Sequence, residues 1–135
     1  MQIRAARAED FPAVQAIIAK FPEHLMQEHL PEPEEFFVAE ENEKIVGCCA
    51  LEIYSQRMAE IRSLAVLPEF QNRGIGGTLV EACLSAAKEK NIYEVLTITG
   101  SSGLFEKHGF ASFKNERYAL LKILPKEFRI LCFGD

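Results

Sequence analysis

Glycines at 74, 76 and 77 crowd the entrance of a long helical stretch, directly after Gln71-Asn72-Arg73. Glycine costs a helix interior about 0.5–1 kcal/mol relative to alanine, so three at one entrance point to backbone that something must approach closely. The first N–H groups of a helix lack intrahelical acceptors, and the helix dipole favours negative charge beside them. The chemistry such a run offers is the cradling of a pyrophosphate. A P-loop would need Gly-Lys-Ser/Thr with four residues between its glycines, but Gly77 is followed by Thr78 with no lysine. A G-x-G-x-x-G dinucleotide fingerprint would need glycine where Leu79 stands. Taken alone, the glycines are equally compatible with a tight strand-to-helix turn that binds nothing.

Other chemistry-bearing side chains are sparse. The cysteines Cys48, Cys49, Cys83 and Cys132 include an adjacent pair but no CxxC spacing, so neither a zinc site nor a disulfide framework is suggested and no metal is expected. Cys48 and Cys49 would point to opposite faces of a strand and have no basic neighbour in sequence to lower a thiol pKa, which reads as core packing. His108 closes a short helical stretch and reads as a partner of its C-terminal dipole.

The elements that must position these groups follow from periodicity and breakers. Ile3–Ala5 reads as a first strand, and a helix starts near Phe11-Pro12, carries Val14, Ile17, Ile18 and Phe21, and ends before Pro22. A second short helix is expected over Glu23–Leu30, stopped by Pro31 and Pro33. Phe36–Glu40 and Lys44–Tyr54 are β-rich runs joined by Glu41-Asn42-Glu43 and should pair antiparallel. Ala59–Leu67 is a further strand, and Gly74–Lys90 a helix with Ile75, Leu79, Cys83 and Ala86 on one stripe. Tyr93–Thr99, Leu104–Lys107 and Arg117–Leu124 then read as strand, short helix and strand. The order is that of one mixed α/β domain over residues 1–135.

Composition agrees. A chain of 135 residues with 48% hydrophobic and 26% charged residues buries a real core as a single domain. Its net charge of −5, with no basic patch, disfavours nucleic acid as a partner. No apolar run approaches the roughly 20 residues of a membrane span, and the expectation is a reduced, cytoplasmic protein without a membrane partner.

Gln71-Asn72-Arg73-Gly74-Ile75-Gly76 is a Q/R-x-x-G-x-G/A pattern, preceded by Leu64-Ala65-Val66 and Pro68. It resembles the acetyl-CoA-binding motif of the GCN5-related N-acetyltransferase (GNAT) superfamily. The resemblance covers nearly the whole chain. The runs Val46–Leu51, Glu60–Val66 and Phe105–Phe110 are most similar to the acetyltransferase domain of N-acetylglutamate synthases and their short relatives.

That resemblance implies a mixed, mostly antiparallel sheet splayed between its fourth and fifth strands, with helices on both faces. It implies that the pantetheine arm of acetyl-CoA lies along Leu64, Ala65 and Val66 as an added strand, and that Gln71, Asn72, Arg73, Gly74, Ile75, Gly76, Gly77 and Thr78 hold the pyrophosphate. An unpaired strand edge is suited to a peptide-like arm. By the same carry-over, the Leu64 backbone N–H meets the oxygen that gains charge when an amine attacks the thioester. Glu60 stands where the histone-modifying branch has its general base, and a base is needed because free amines are mostly protonated at neutral pH. The tyrosine that protonates the leaving thiolate in many members is replaced here by Phe105, with Ser101, Ser102 or Tyr118 as possible substitutes. Arg57, Arg62 and Arg117 are the guanidinium groups nearest the expected acceptor end, where a planar fork suits a carboxylate.

The expected function is acetyl transfer from acetyl-CoA to a primary amine on a small molecule, an amino acid such as glutamate first. The alternatives are a protein N-acetyltransferase and a non-catalytic acetyl-CoA-binding module. A homodimer is expected, because Phe128, Ile130, Leu131, Cys132 and Phe133 make an apolar tail that must cover something.

Overall fold

In the computed structural model, residues 1–100 and 102–111 are described. The last strand expected at Arg117–Leu124, the apolar tail, Ser101 and Tyr118 lie outside them. The elements in order are β1 (Gln2–Ala5), α1 (Phe11–Ile18), β2 (Phe36–Glu41), β3 (Lys44–Ile53), β4 (Met58–Val66), α2 (Ile75–Glu89), β5 (Glu94–Leu96) and α3 (Ser102–Glu106). Short 3₁₀ turns at Ala8–Asp10, Pro33–Glu35 and Pro68–Phe70 lead into α1 and β2 and out of β4.

The strands lie in the order β1-β2-β3-β4-β5. The first three pairings are antiparallel and β4 pairs β5 in parallel. Cross-strand partners share a face of a sheet, which assigns the helices. Phe36 meets Phe11 edge-on at 6.0 Å, so Phe36, Val38 and their partners Ala50 and Cys48 look toward α1. A Cβ on Gly47 would lie 3.2 Å from Leu79 of α2, so Gly47 and Cys49 look the other way. The helices therefore cover both faces. The core joins Val14, Ile17 and Ile18 of α1, Phe36, Val38 and Val46 of the sheet, and Leu79, Val80 and Cys83 of α2.

The β4–β5 pairing is short: Met58, Ala59 and Glu60 face Glu94, Val95 and Leu96, and β4 then runs six residues further with no strand paired to that edge among the described residues. The expected strand over Tyr93–Thr99 is thus cut to three residues. Instead of continuing the ladder, Thr97 donates its hydroxyl to the Ile61 carbonyl at 3.1 Å.

The short helix expected over Glu23–Leu30 is absent. The Gln27 side-chain amide donates to the carbonyls of Ile18 (3.0 Å), Leu25 (3.1 Å) and Phe21 (3.5 Å). It closes α1 from outside, bonding the Ile18 carbonyl that Pro22, lacking an N–H, could not satisfy in a continued helix. His29, at φ 57, then turns the chain in the left-handed region. The Asp10 carboxylate accepts from Arg4 at 2.8 and 3.1 Å and from the Arg7 N–H at 2.7 Å, which fixes the chain where it enters α1. No helix among the described residues is long and apolar enough to cross a membrane.

Candidate functional site

β4 carries most of the site. Ala50 pairs with Arg62 and Cys48 with Ala65, so one residue of β3 stands against two of β4, Ser63 and Leu64. This is a bulge, and it leaves the extra residue out of one-to-one pairing. Ser63 sits at φ 58, a conformation costly for a non-glycine residue and held only where the surroundings enforce it. The Cys48 thiol, 3.5 Å from the Ser63 carbonyl, is one such restraint. The bulge coincides with the stretch where β5 has left, so Leu64, Ala65 and Val66 border an open edge. Nothing in the residue types of Ser63-Leu64 announces it.

At the end of that edge β4 passes through the Pro68–Phe70 turn into α2. Gly74 caps α2 in a left-handed conformation, φ 81 and ψ 6, and offers its first-turn N–H groups no side-chain cap, while the Thr78 hydroxyl donates to the Gly74 carbonyl at 2.9 Å. Thr78 is the first residue whose N–H reaches back, to the Gly74 carbonyl at 3.1 Å. Ile75, Gly76 and Gly77 therefore present the orphan donors of the first turn. The three glycines have different reasons. Gly74 needs its positive φ, while Gly77 is crowded, since a Cβ there would lie 3.0 Å from His108 Nε2. Gly76 has ordinary room, its added Cβ falling 3.7 Å from Leu104 Cδ2.

A depression of about 460 Å³, lined by Gly74, Gly77, Thr78, Glu81, Leu104, Lys107 and His108, runs beside this turn. His108 Nδ1 lies 2.5 Å from Glu81 Oε1 and ties the end of α3 to α2. The outer residues of the motif are engaged in holding the loop. Gln71 donates to the Val66 carbonyl at 3.0 Å, and Arg73 lies over the Phe70 ring, 5.0 Å from its centroid, and 3.7 Å from Glu41. Asn72, at φ 65, makes the turn.

A second group gathers on the α1 face at the other end of β4. Glu60 stands opposite Glu52 of β3. Tyr54, just beyond β3, donates its hydroxyl to Glu60, and that hydroxyl also lies 3.1 Å from Glu52 Oε2. Arg62 donates to Glu52 at 2.8 Å and to the His29 carbonyl at 3.0 Å, tying the loop after α1 to β4. Burial first, then the hydrogen bond to Glu60 and the negative charges of Glu60 and Glu52, hold the Tyr54 phenol above its ordinary range. Sequence reading missed Tyr54 and Glu52, whose only signal is register across the hairpin.

Other expectations are settled by packing. Arg57 pairs with Glu94 at 3.1 Å, so Arg57 and Arg62 both have carboxylate partners within the chain. Phe105 is 6% exposed and packs edge-on against Phe110 at 5.4 Å. Cys48 and Cys49 are fully buried, and burial pushes the Cys48 thiol up to about 12. Contact with Cys83, then burial, raises Cys49 as well. Neither is a nucleophile at neutral pH.

Residues 2–110 match the model of the acetyltransferase (GNAT) family. Over 84 residues the chain is 43% identical to an uncharacterized N-acetyltransferase of Chlorobaculum tepidum, covering 62% of this chain and 54% of that protein. It thus spans about half the length of that relative. A Mycobacterium tuberculosis protein solved in complex with CoA superposes with a TM-score of 0.80 at 28% identity, over 98% of this chain and 82% of that one. The N-acetylglutamate synthase of Neisseria gonorrhoeae, complexed with coenzyme A and N-acetyl-glutamate, gives 0.76 at 25% identity, over 98% of this chain and 32% of the synthase.

Proposed function

We propose a function from one premise: the chain belongs to the acetyltransferase (GNAT) family, whose model its residues 2–110 match. The chain is an N-acetyltransferase domain that uses acetyl-CoA and delivers the acetyl group to the primary amine of a small molecule, an amino acid such as glutamate first. The observation that carries this reading is the pairing of two features on one strand. β4 leaves β5 beyond Glu60 and bulges at Ser63–Leu64, and its far end feeds the uncapped N-terminus of α2 at Gly74. A cosubstrate with a peptide-like arm and a pyrophosphate needs those two groups of donors in that order.

Acetyl-CoA supplies the acetyl group as a thioester. Leu64, Ala65 and Val66 offer backbone to its arm, and the free N–H groups of Ile75, Gly76 and Gly77, between Gly74 and Thr78, meet its phosphates, with Gln71, Asn72 and Arg73 shaping the loop. The Leu64 N–H is the donor for the oxygen that becomes negative as the new C–N bond forms and returns to a neutral carbonyl as the C–S bond breaks and the thiolate leaves. Glu60 removes the proton from the attacking amine. It stands four residues along β4 from Leu64, at most roughly 13 Å at ~3.3 Å per residue and less for the bulge at Ser63, so the proton passes through water. The leaving thiolate, from a thiol of pKa ~8.5, needs no obligatory acid, which fits a buried Phe105. That same Phe105 favours a second reading, a module that binds acetyl-CoA without turnover. A homodimer carried by the apolar tail is part of the proposal.

The test is thiol release from acetyl-CoA against a panel of amino acids and other amines. Turnover with free amino acids is expected. Acetyl-CoA binding with no turnover on any amine would establish the binding module, and turnover on peptide N-termini alone would establish a protein acetyltransferase.

A further inference from the structure

Tyr54 is held in place by its own turn. Its N–H and that of Ser55 donate to the Met58 carbonyl at 3.0 and 3.2 Å, and the Ser55 hydroxyl oxygen accepts from the N–H groups of Arg57 and Met58, both at 3.1 Å. The turn folds the phenol back over the start of β4, where it meets Glu60. A phenol has one proton to give. Glu52 Oε2 already accepts from Arg62 Nη1 at 2.8 Å, so the Tyr54 proton belongs to Glu60.

Glu60 needs such a partner. Residues directly opposite in antiparallel strands have Cβ atoms about 4.5–5.5 Å apart, and like charges there repel. Glu52 is the opposite residue, its charge met by Arg62, which is itself fixed by the His29 carbonyl and lies 3.5 Å from Met26 Sδ. From β5, Leu96 lies beside Glu60, while Glu94 is bound by Arg57. Tyr54 is 53% exposed, so its hydroxyl and Glu60 can be reached from solvent in the proposed reaction.

We propose that Tyr54 is a positioning residue, whose donated hydroxyl fixes the Glu60 carboxylate in the orientation from which it takes the proton of the attacking amine. The inference rests on Glu60 acting as the base. The step balances within that reaction: the amine loses a proton to Glu60, and the Tyr54 proton stays on its own oxygen.

The first measurement uses the cofactor-free protein. Tyrosine ring-carbon NMR follows ionisation of Tyr54, identified by its loss in Tyr54→Phe. In Glu60→Gln the midpoint should fall by roughly half a unit or more, because the charge that resists phenolate formation is gone. An unchanged midpoint overturns the coupling. The second measurement is a double-mutant cycle in kcat with acetyl-CoA and the panel amine that turns over fastest. Tyr54→Phe should lower kcat about tenfold and Glu60→Gln about a hundredfold, with acetyl-CoA affinity unchanged and the double variant no slower than Glu60→Gln alone. Additive losses, or full kcat in Tyr54→Phe beside a slow Glu60→Gln, overturn the positioning role. Full kcat in Glu60→Gln, or no turnover by the parent protein with any amine, overturns the base reading instead, and this inference falls with it.

Discussion

Gly76 separates the fold's requirement from the ligand's. An added Cβ there would stand 3.7 Å from Leu104 Cδ2, ordinary contact, and the residue is helical at normal φ. Gly76→Ala therefore relieves the entropic penalty of glycine in a helix, about 0.5–1 kcal/mol, and should raise Tm by roughly 2–5 °C. Acetyl-CoA affinity should hold, since one methyl still leaves the first-turn N–H groups accessible. Gly76→Val adds two branched methyls between Leu104 and the helix entrance, and should raise the acetyl-CoA dissociation constant tenfold or more, at least ~1.4 kcal/mol. Calorimetric titration of acetyl-CoA and thermal unfolding read the two quantities separately. A Gly76→Val protein that folds and binds acetyl-CoA like the parent would refute the placement of the phosphates over this turn.

Asp10 is held at about 2, chiefly by the hydrogen bonds from Arg4, and its removal by Asp10→Asn should cost about 1–3 kcal/mol at neutral pH. Its folded pKa lies below the ordinary 3.8, so its stabilisation is present above about pH 4 and lost as pH falls toward 2. Denaturant unfolding across that range should show a shallower acid decline in Asp10→Asn. Phe105→Tyr places a hydroxyl against Phe110 in a site only 6% exposed, and should destabilise by about 1–3 kcal/mol with no gain in kcat. A faster enzyme would mean that the position reaches the leaving thiolate after all.

The order of elements was legible because helix and strand periods are local. Val14, Ile17 and Ile18 announce α1, and Gly74 announces the turn that its positive φ requires. What stayed hidden depends on partners distant in sequence. In place of a helix at 23–30 stands a loop in which Gln27 reaches back nine residues to Ile18. The length of β5 is set by Thr97 bonding Ile61, and the bulge by the register of β4 against β3. Glu60 is singled out in the sequence by resemblance alone, and its partners Tyr54 and Glu52 become neighbours only once the hairpin closes.

Those neighbours bear on the acceptor. Arg57 and Arg62, two of the three guanidinium groups suited to a substrate carboxylate, are bound to Glu94 and Glu52, and Arg117 lies outside the described residues. Near the proposed base, Glu52 of β3 and Glu60 of β4 stand side by side. An unpaired carboxylate brought within ~5 Å of Glu60 meets repulsion of about 3 kcal/mol at an effective dielectric constant of ~20, close to two orders of magnitude in affinity. Likeness to a glutamate-acetylating enzyme and the local field therefore pull in opposite directions. Comparing glutamate with glutamine, equal in size and lacking only the second charge, decides between them. Preference for glutamate requires a cation that Arg57 and Arg62 do not supply, whereas preference for glutamine means that the charge of Glu60 sets that of the acceptor.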